Sequence, residues 1–254
     1  MDAAPTRIAM WSGPRNISTA MMRSFEARGD CAVVDEPFYA AYLERTGLDH
    51  PMRDEVVASQ STDPAAVVAR LLGPVPACKP IWYQKHMTLH MLGDFSLAWL
   101  AHVTNAFLIR EPQAVLASYA AKRSEVTLSD IGFVQQHELF DRVADQLGTP
   151  PPVVDAADIL AAPGPTLERL CRALGIEYRA TMLEWPAGRR PSDGVWAPAW
   201  YHSVERSTGF ASSGARPGPL PRRLQELADR AQRHYDALAA HRIRAATGAG
   251  QTAS

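Results

Sequence analysis

Short apolar runs alternate along the chain with longer segments in which apolar residues recur every three to four positions. The runs Arg7–Trp11, Ala32–Asp35, Ile81–Lys85, Asn105–Arg110 and Val153–Asp155 read as strands. The segments Ser18–Arg28, Pro64–Leu72, Pro112–Lys122, Leu128–Leu147, Thr166–Leu174 and Pro221–His241 read as helices. Strand-helix alternation predicts an α/β fold: a parallel β-sheet flanked by helices on both faces. Such sheets bind ligands beyond the carboxyl ends of their strands. Polar residues collect at those ends: Ser12–Thr19 after the first strand, Glu36 after the second, His86 after the third, Arg110 at the end of the fourth.

Between residues 187 and 221 the periodicity fails, and Gly, Pro, Ser and Trp dominate. This predicts a long loop or lid over a single domain of residues 1–244. Residues 245–254 are small and polar and read as a disordered tail.

Composition narrows the picture. The chain has 254 residues, enough for one sizeable core, and a formal net charge of −1, so nothing draws it in bulk to nucleic acid or an anionic membrane. No apolar run reaches membrane-spanning length. Residues 1–5 lack the basic and apolar regions of a secretory signal, which points to the cytoplasm. Cys31, Cys78 and Cys171 are too far apart for a metal-type pair and read as free buried thiols. No metal site is expected.

The stretch Trp11-Ser-Gly-Pro-Arg-Asn-Ile-Ser-Thr19 carries the most chemistry. It places a cation, Arg15, and two hydroxyls, Ser18 and Thr19, where a helix begins. First-turn amides lack internal partners and carry partial positive charge, so they hold phosphate. A kinase-type loop would read G-x-x-x-x-G-K-[ST]; the second Gly and the Lys are absent here.

The run Pro14-Arg15-Asn16-Ile17-Ser18-Thr19 instead resembles the 5′-phosphosulfate loop of PAPS-dependent sulfotransferases, Pro-Lys/Arg-x-Gly-Ser/Thr-Ser/Thr. Ile17 departs from the usual Gly. Arg110-x-Pro112, followed by Ser118, resembles that family's 3′-phosphate motif. A guanidinium fork suits phosphate oxygens. Val153-Val154-Asp155, then Leu167-x-x-Leu170-Cys171-x-x-Leu174-Gly175, is similar to the family's late strand and helix. The stretch Val204–Phe210 looks like the tail of a bacterial and plant branch, some of whose members carry names of the branched-chain aminotransferase-like kind. A PLP transaminase needs a Schiff-base lysine. Lys79, Lys85 and Lys122 are the only lysines, and none has a recognisable PLP context.

The resemblance implies PAPS as donor, PAP as product, and sulfuryl transfer to the hydroxyl or amine of a small-molecule acceptor. It places Gly13, Pro14, Arg15, Asn16, Ile17, Ser18, Thr19, Arg110 and Ser118 at the nucleotide, with Ser207, Thr208, Gly209 and Phe210. Arg15 would stabilise the departing phosphate. Glu36 is the first choice for the base and His86 the second, with Lys85 at the transferring group or a phosphate. His90 shares a face with His86 if their turn is helical. Trp196, Trp200, Tyr201 and Phe210 suit stacking on adenine or covering an acceptor. A small-molecule kinase using ATP and Mg²⁺, or a non-catalytic nucleotide binder, remains open on these residues. The exposed face of the Leu128–Leu147 helix is a candidate homodimer interface.

Overall fold

A computed structural model describes residues 4–120, 126–210 and 218–244. Five strands form one sheet: β1 (Thr6–Ser12), β2 (Cys31–Asp35), β3 (Ile81–Met87), β4 (Thr104–Ile109) and β5 (Val153–Asp155). Their order is β2-β3-β1-β4-β5, and every pair is parallel. β1 is central, with Trp11 opposite both His86 and Phe107.

The helices are α1 (Ser18–Glu26), α2 (Tyr39–Thr46), α3 (Arg53–Ser59), α4 (Pro64–Leu72), α5 (Pro112–Ala120), α6 (Phe133–Leu147), α7 (Ala156–Ala161), α8 (Pro163–Ala173), α9 (Ala197–Trp200), α10 (His202–Glu205) and α11 (Arg222–Ala239). No helix among the described residues is long and apolar enough to cross a membrane.

Side-chain alternation along the strands builds two cores. Ile8, Met10, Ile81 and Tyr83 face α1, α7 and α8, where Met21, Phe25, Ile159, Leu167 and Leu170 close the layer. Ala9, Trp11, Trp82 and Phe107 face the other way, onto Val67 and Leu71 of α4, Leu139 and Val143 of α6 and Leu238 of α11. Each large side chain so buried contributes about 1.5–3 kcal/mol. The sheet therefore carries helices on both faces, as its alternating pattern predicts.

Element ends follow local chemistry. Asp63 caps α4 by accepting from the Ala65 amide at 3.0 Å, and Pro64 occupies the first turn. Helix α6 starts at Phe133 rather than Leu128, because Gly132 takes φ +70° there and 127–131 fold as a turn held by Asp130 on Thr127. Helices α2, α3 and α7 escape the sequence reading, being short. The irregular stretch after 187 contains two further single-turn helices, α9 and α10. Residues 211–217 of that stretch, the 121–122 end of the predicted Pro112–Lys122 helix, and the tail 245–254 lie outside the described residues. Cys31 and Cys171 are buried as expected, their thiols pushed up to about 12 and about 11, chiefly by burial. Cys78 is exposed, contrary to that expectation.

Candidate active site

The carboxyl ends of β1, β2, β3 and β4 open onto a cavity of about 380 Å³. Its first wall is the turn from β1 into α1. Arg15 and Ile17 take left-handed backbone there, with φ 59° and 44°. Left-handed backbone is costly for a β-branched residue such as Ile17. It is Ile17 that immediately precedes α1, and no side chain caps that helix. The amides of Ser18, Thr19 and Ala20 thus start the helix without intrahelical acceptors, and all three residues line the cavity. Asn16 ties the turn to the sheet by donating to the Leu108 carbonyl at 2.6 Å. Its Oδ1 is buried without a partner among the described residues.

Two cations stand at this wall. Arg110, just past β4, donates through Nη1 to the Arg15 carbonyl at 2.7 Å. Arg15 donates through Nε to Ser118 Oγ on α5 at 2.9 Å. No carboxylate of a described residue comes within 4.0 Å of either guanidinium, although such pairs occur elsewhere in the chain. Burial lowers both from the ordinary arginine value, and the charge of Arg15 lowers Arg110 further. Converging cations with no carboxylate partner among the described residues, beside free helix amides, are arranged to hold an anion.

The opposite wall is built around Lys85. Its Nζ donates to Asp35 Oδ1 at 2.7 Å, to Glu36 Oε1 at 2.6 Å and to the Tyr201 hydroxyl at 2.7 Å. Tyr201 donates to Asp35 Oδ2 at 2.6 Å, and Trp196 Nε1 donates to the Tyr201 oxygen at 3.1 Å. Burial alone would lower the Lys85 ammonium, but Asp35, Glu36 and Tyr201 hold it well above its ordinary value. Glu36 is raised above the usual carboxylate range, chiefly by burial, with Asp35 adding to the rise and Lys85 opposing it. Its Oε2 accepts no hydrogen bond from a described residue; His90 Nε2 stands 4.0 Å away. His90 is sandwiched between Tyr39 and Tyr42, at 4.6 and 4.8 Å between ring centres. Burial first, then His50 and Lys85, keep it well below its ordinary value and so neutral.

Pro14, Arg15, Asn16, Ile17, Ser18, Thr19, Glu36, Lys85, Arg110, Ser118, Ser207, Gly209 and Phe210 all line this one cavity. Three expected residues do not. His86 follows Lys85 on β3, and neighbours on a strand face opposite sides. It stacks on Trp11 at 4.4 Å, bonds Gln84 at 3.3 Å, and is pushed down to about 3 by burial. His90 lines the cavity while His86 lies in the core beneath α4 and α6, so the two share no face. Gly13 lies behind the loop, where a Cβ would come within 3.0 Å of the Ile131 carbonyl. Thr208 lines a neighbouring depression with Trp185 and Leu183.

A family model described as a sulfotransferase domain matches residues 6–242. The chain belongs to the sulfotransferase family. Its sequence is 37% identical over 239 residues to branched-chain-amino-acid aminotransferase-like protein 1 of Arabidopsis thaliana, covering 94% of this chain and 42% of that protein. For branched-chain-amino-acid aminotransferase-like protein 2 of the same plant the identity is 35% over 234 residues, covering 92% and 41%. The sulfotransferase chain thus spans about two fifths of the length of these relatives. Among solved structures, a sulfotransferase from Alicyclobacillus acidocaldarius superposes with TM-score 0.54 at 11% identity, over 94% of this chain and 96% of that one. The sulfotransferase domain of the Synechococcus PCC 7002 olefin synthase gives 0.50 at 17%, over 90% and 95%. These likenesses concern the fold.

In this sulfotransferase-family chain the sequence reading missed Asp35 and the role of Tyr201. Asp35 is 4% exposed at the end of an edge strand, adjacent to Glu36. Two successive carboxylates after an apolar run, with one reachable lysine, were the available signal. The 166-residue separation of Tyr201 from Asp35 hid the partner.

Proposed function

We propose that this protein transfers a sulfuryl group from PAPS to a hydroxyl or amine of a small-molecule acceptor and releases PAP. What carries the reading is a single cavity with two guanidiniums that have no carboxylate partner among the described residues at one wall and a buried carboxylate at the other. Arg15, with the amides of Ser18, Thr19 and Ala20, would hold the 5′-phosphate, and Arg110 the 3′-phosphate. The two guanidiniums, without a carboxylate among the described residues, and the first-turn amides fit the phosphates of such a donor. Glu36 would take the acceptor proton through Oε2. The acceptor oxygen or nitrogen then bonds to sulfur as the sulfur–oxygen bond to the 5′-phosphate breaks. The electron pair leaves on a phosphate oxygen facing Arg15, which neutralises it without giving up a proton. Positioning and fixed charge supply the rate enhancement, as in phosphoryl transfer.

Calorimetric titration with PAP, against ATP plus Mg²⁺, tests the donor. PAP binding that weakens in Arg110→Ala supports the reading and justifies an acceptor screen with labelled PAPS. Mg²⁺-dependent ATP binding without PAP binding would overturn it in favour of a kinase.

A further inference from the structure

Two buried carboxylates, Asp35 and Glu36, meet one buried ammonium, and their hydrogen bonds are not equivalent. An ammonium has three hydrogens. Those of Lys85 are all used, on Asp35, Glu36 and Tyr201. Asp35 accepts on both oxygens: Oδ1 takes Lys85, and Oδ2 takes the Tyr201 hydroxyl at 2.6 Å and the Gly194 amide at 3.1 Å. Glu36 holds Lys85 on Oε1 only. Lys85 therefore has no hydrogen left for a phosphate or a sulfuryl oxygen. That differs from the role the motif suggested for it.

We infer that Asp35 and Tyr201 are positioning residues that pin Lys85 to Oε1 of Glu36, so that Oε2 alone is presented to the acceptor proton. This rests on Glu36 being the base of the proposed transfer. Asp35, bonded on both oxygens, is then the fixed partner of Lys85, and Glu36 is the carboxylate with an oxygen open to take a proton. When it takes the acceptor proton, the negative charge of the buried group falls by one, while Asp35 and Lys85 remain paired. Tyr201 arrives from the stretch between α9 and α10, with its oxygen held by Trp196. The late segment thereby reaches the base, which explains why an irregular region of the chain buries Trp196 and Tyr201 at 1% and 5% exposure.

The charged and titratable groups around Glu36 are Asp35 at the end of β2 just before it, Lys85 on β3, His90 in the turn after β3 and Tyr201 opposite. Tyr39 and His50, bonded to each other at 2.9 Å, stand behind His90. Lys85 and Asp35 push Glu36 in opposite directions, and the test uses that opposition.

The titration of the Glu36 carboxyl is followed by NMR on protein carrying ¹³C-labelled glutamate, with the resonance assigned by its loss in Glu36→Gln. Lys85→Met is expected to move the midpoint upward by about one to three pH units, and Asp35→Asn to move it downward. Tyr201→Phe is expected to slow PAP release from PAPS, with water as acceptor, about tenfold to a hundredfold. PAP affinity should stay within about twofold of wild type in all three, since the arginine wall is untouched. If Lys85→Met does not fold, Asp35→Asn decides: an unmoved or raised midpoint overturns the inference. Undiminished PAP release by Glu36→Gln overturns the base assignment itself. Lost release in Glu36→Gln beside an unmoved midpoint in Asp35→Asn overturns only the positioning role.

Discussion

Arg110 donates to the main-chain carbonyl of Arg15 at 2.7 Å, so one cation braces the backbone that carries the other. The two charges repel, and burial raises the cost. A site that holds like charges together is stabilised by the anion that separates them. Arg110→Ala should therefore lose both a phosphate contact and the brace on the loop. Charge-assisted hydrogen bonds contribute about 1.5–3 kcal/mol, so PAP affinity should fall about tenfold to a hundredfold. Arg110→Lys should recover only part, because a lysine cannot form the fork that spans a carbonyl and a phosphate. Calorimetry of the two variants checks the order; equal loss in both would show that the fork is unimportant.

Glu36→Gln should abolish most turnover, about 10²- to 10⁴-fold for a lost general base, with PAP affinity unchanged. The same change should stabilise the fold. The folded-state value of Glu36 is raised, so the folded protein binds its proton more tightly than the unfolded chain does. Stability from this group is present at low pH and is lost as pH rises through the window from the ordinary carboxylate value to the raised one. Glu36→Gln removes that loss. Its Tm should match wild type at pH 4 and exceed it at pH 8. Thermal melts at both pH values measure this, and a lower Tm at pH 8 would contradict it.

His86→Phe separates two histidines that the sequence could not. The His86 ring lies against Trp11, Phe38 and Trp99, and burial pushes it down to about 3. A phenyl ring should keep that stacking, and turnover should stay within about threefold of wild type, far above the loss expected for a base. The linkage sign is opposite to that of Glu36. The unfolded chain takes up the proton from about pH 6.5 downward and the folded protein does so only near 3, so wild type loses stability as pH falls across that window. His86→Phe should flatten part of the loss. His90 and His234, which are also lowered, contribute to the rest.

The difference between these residues shows what the sequence made legible. The polar residues after β1, β2 and β4 could be assigned to one site because each lies just beyond its strand, where side chains of any sequence parity can turn into the crevice. Lys85 and His86 still belong to β3. There the period of two forbids both from facing one cavity, and the sequence did not show where the strand ended. The sheet itself was readable because its strands are buried, apolar and bounded by turns. Asp35 and Tyr201 were not, since a buried ion pair is defined by its partners and these lie far apart along the chain. Helices α2 and α3 were missed because short helices are stabilised by what they pack on. Tyr39, Leu43 and Val56 bury against Trp196 and Tyr201 from the far end of the chain.

Ile17 offers a test of backbone strain at the anion site. It sits at φ 44° where the motif usually has Gly, and its side chain packs partly buried against the core beside α1. Left-handed backbone costs a side-chain-bearing residue about 1–2 kcal/mol. Ile17→Ala keeps that cost and loses the packing. Ile17→Gly loses the packing and also the cost. The Gly variant should therefore be more stable than the Ala variant by about 1 kcal/mol, the reverse of the order expected inside a helix. Denaturant unfolding of the pair measures the difference. If Ala proves the more stable, residue 17 does not hold the left-handed conformation, and the loop amides are not held as described. If Gly is the more stable and binds PAP at least as well as wild type, the isoleucine serves packing rather than donor recognition.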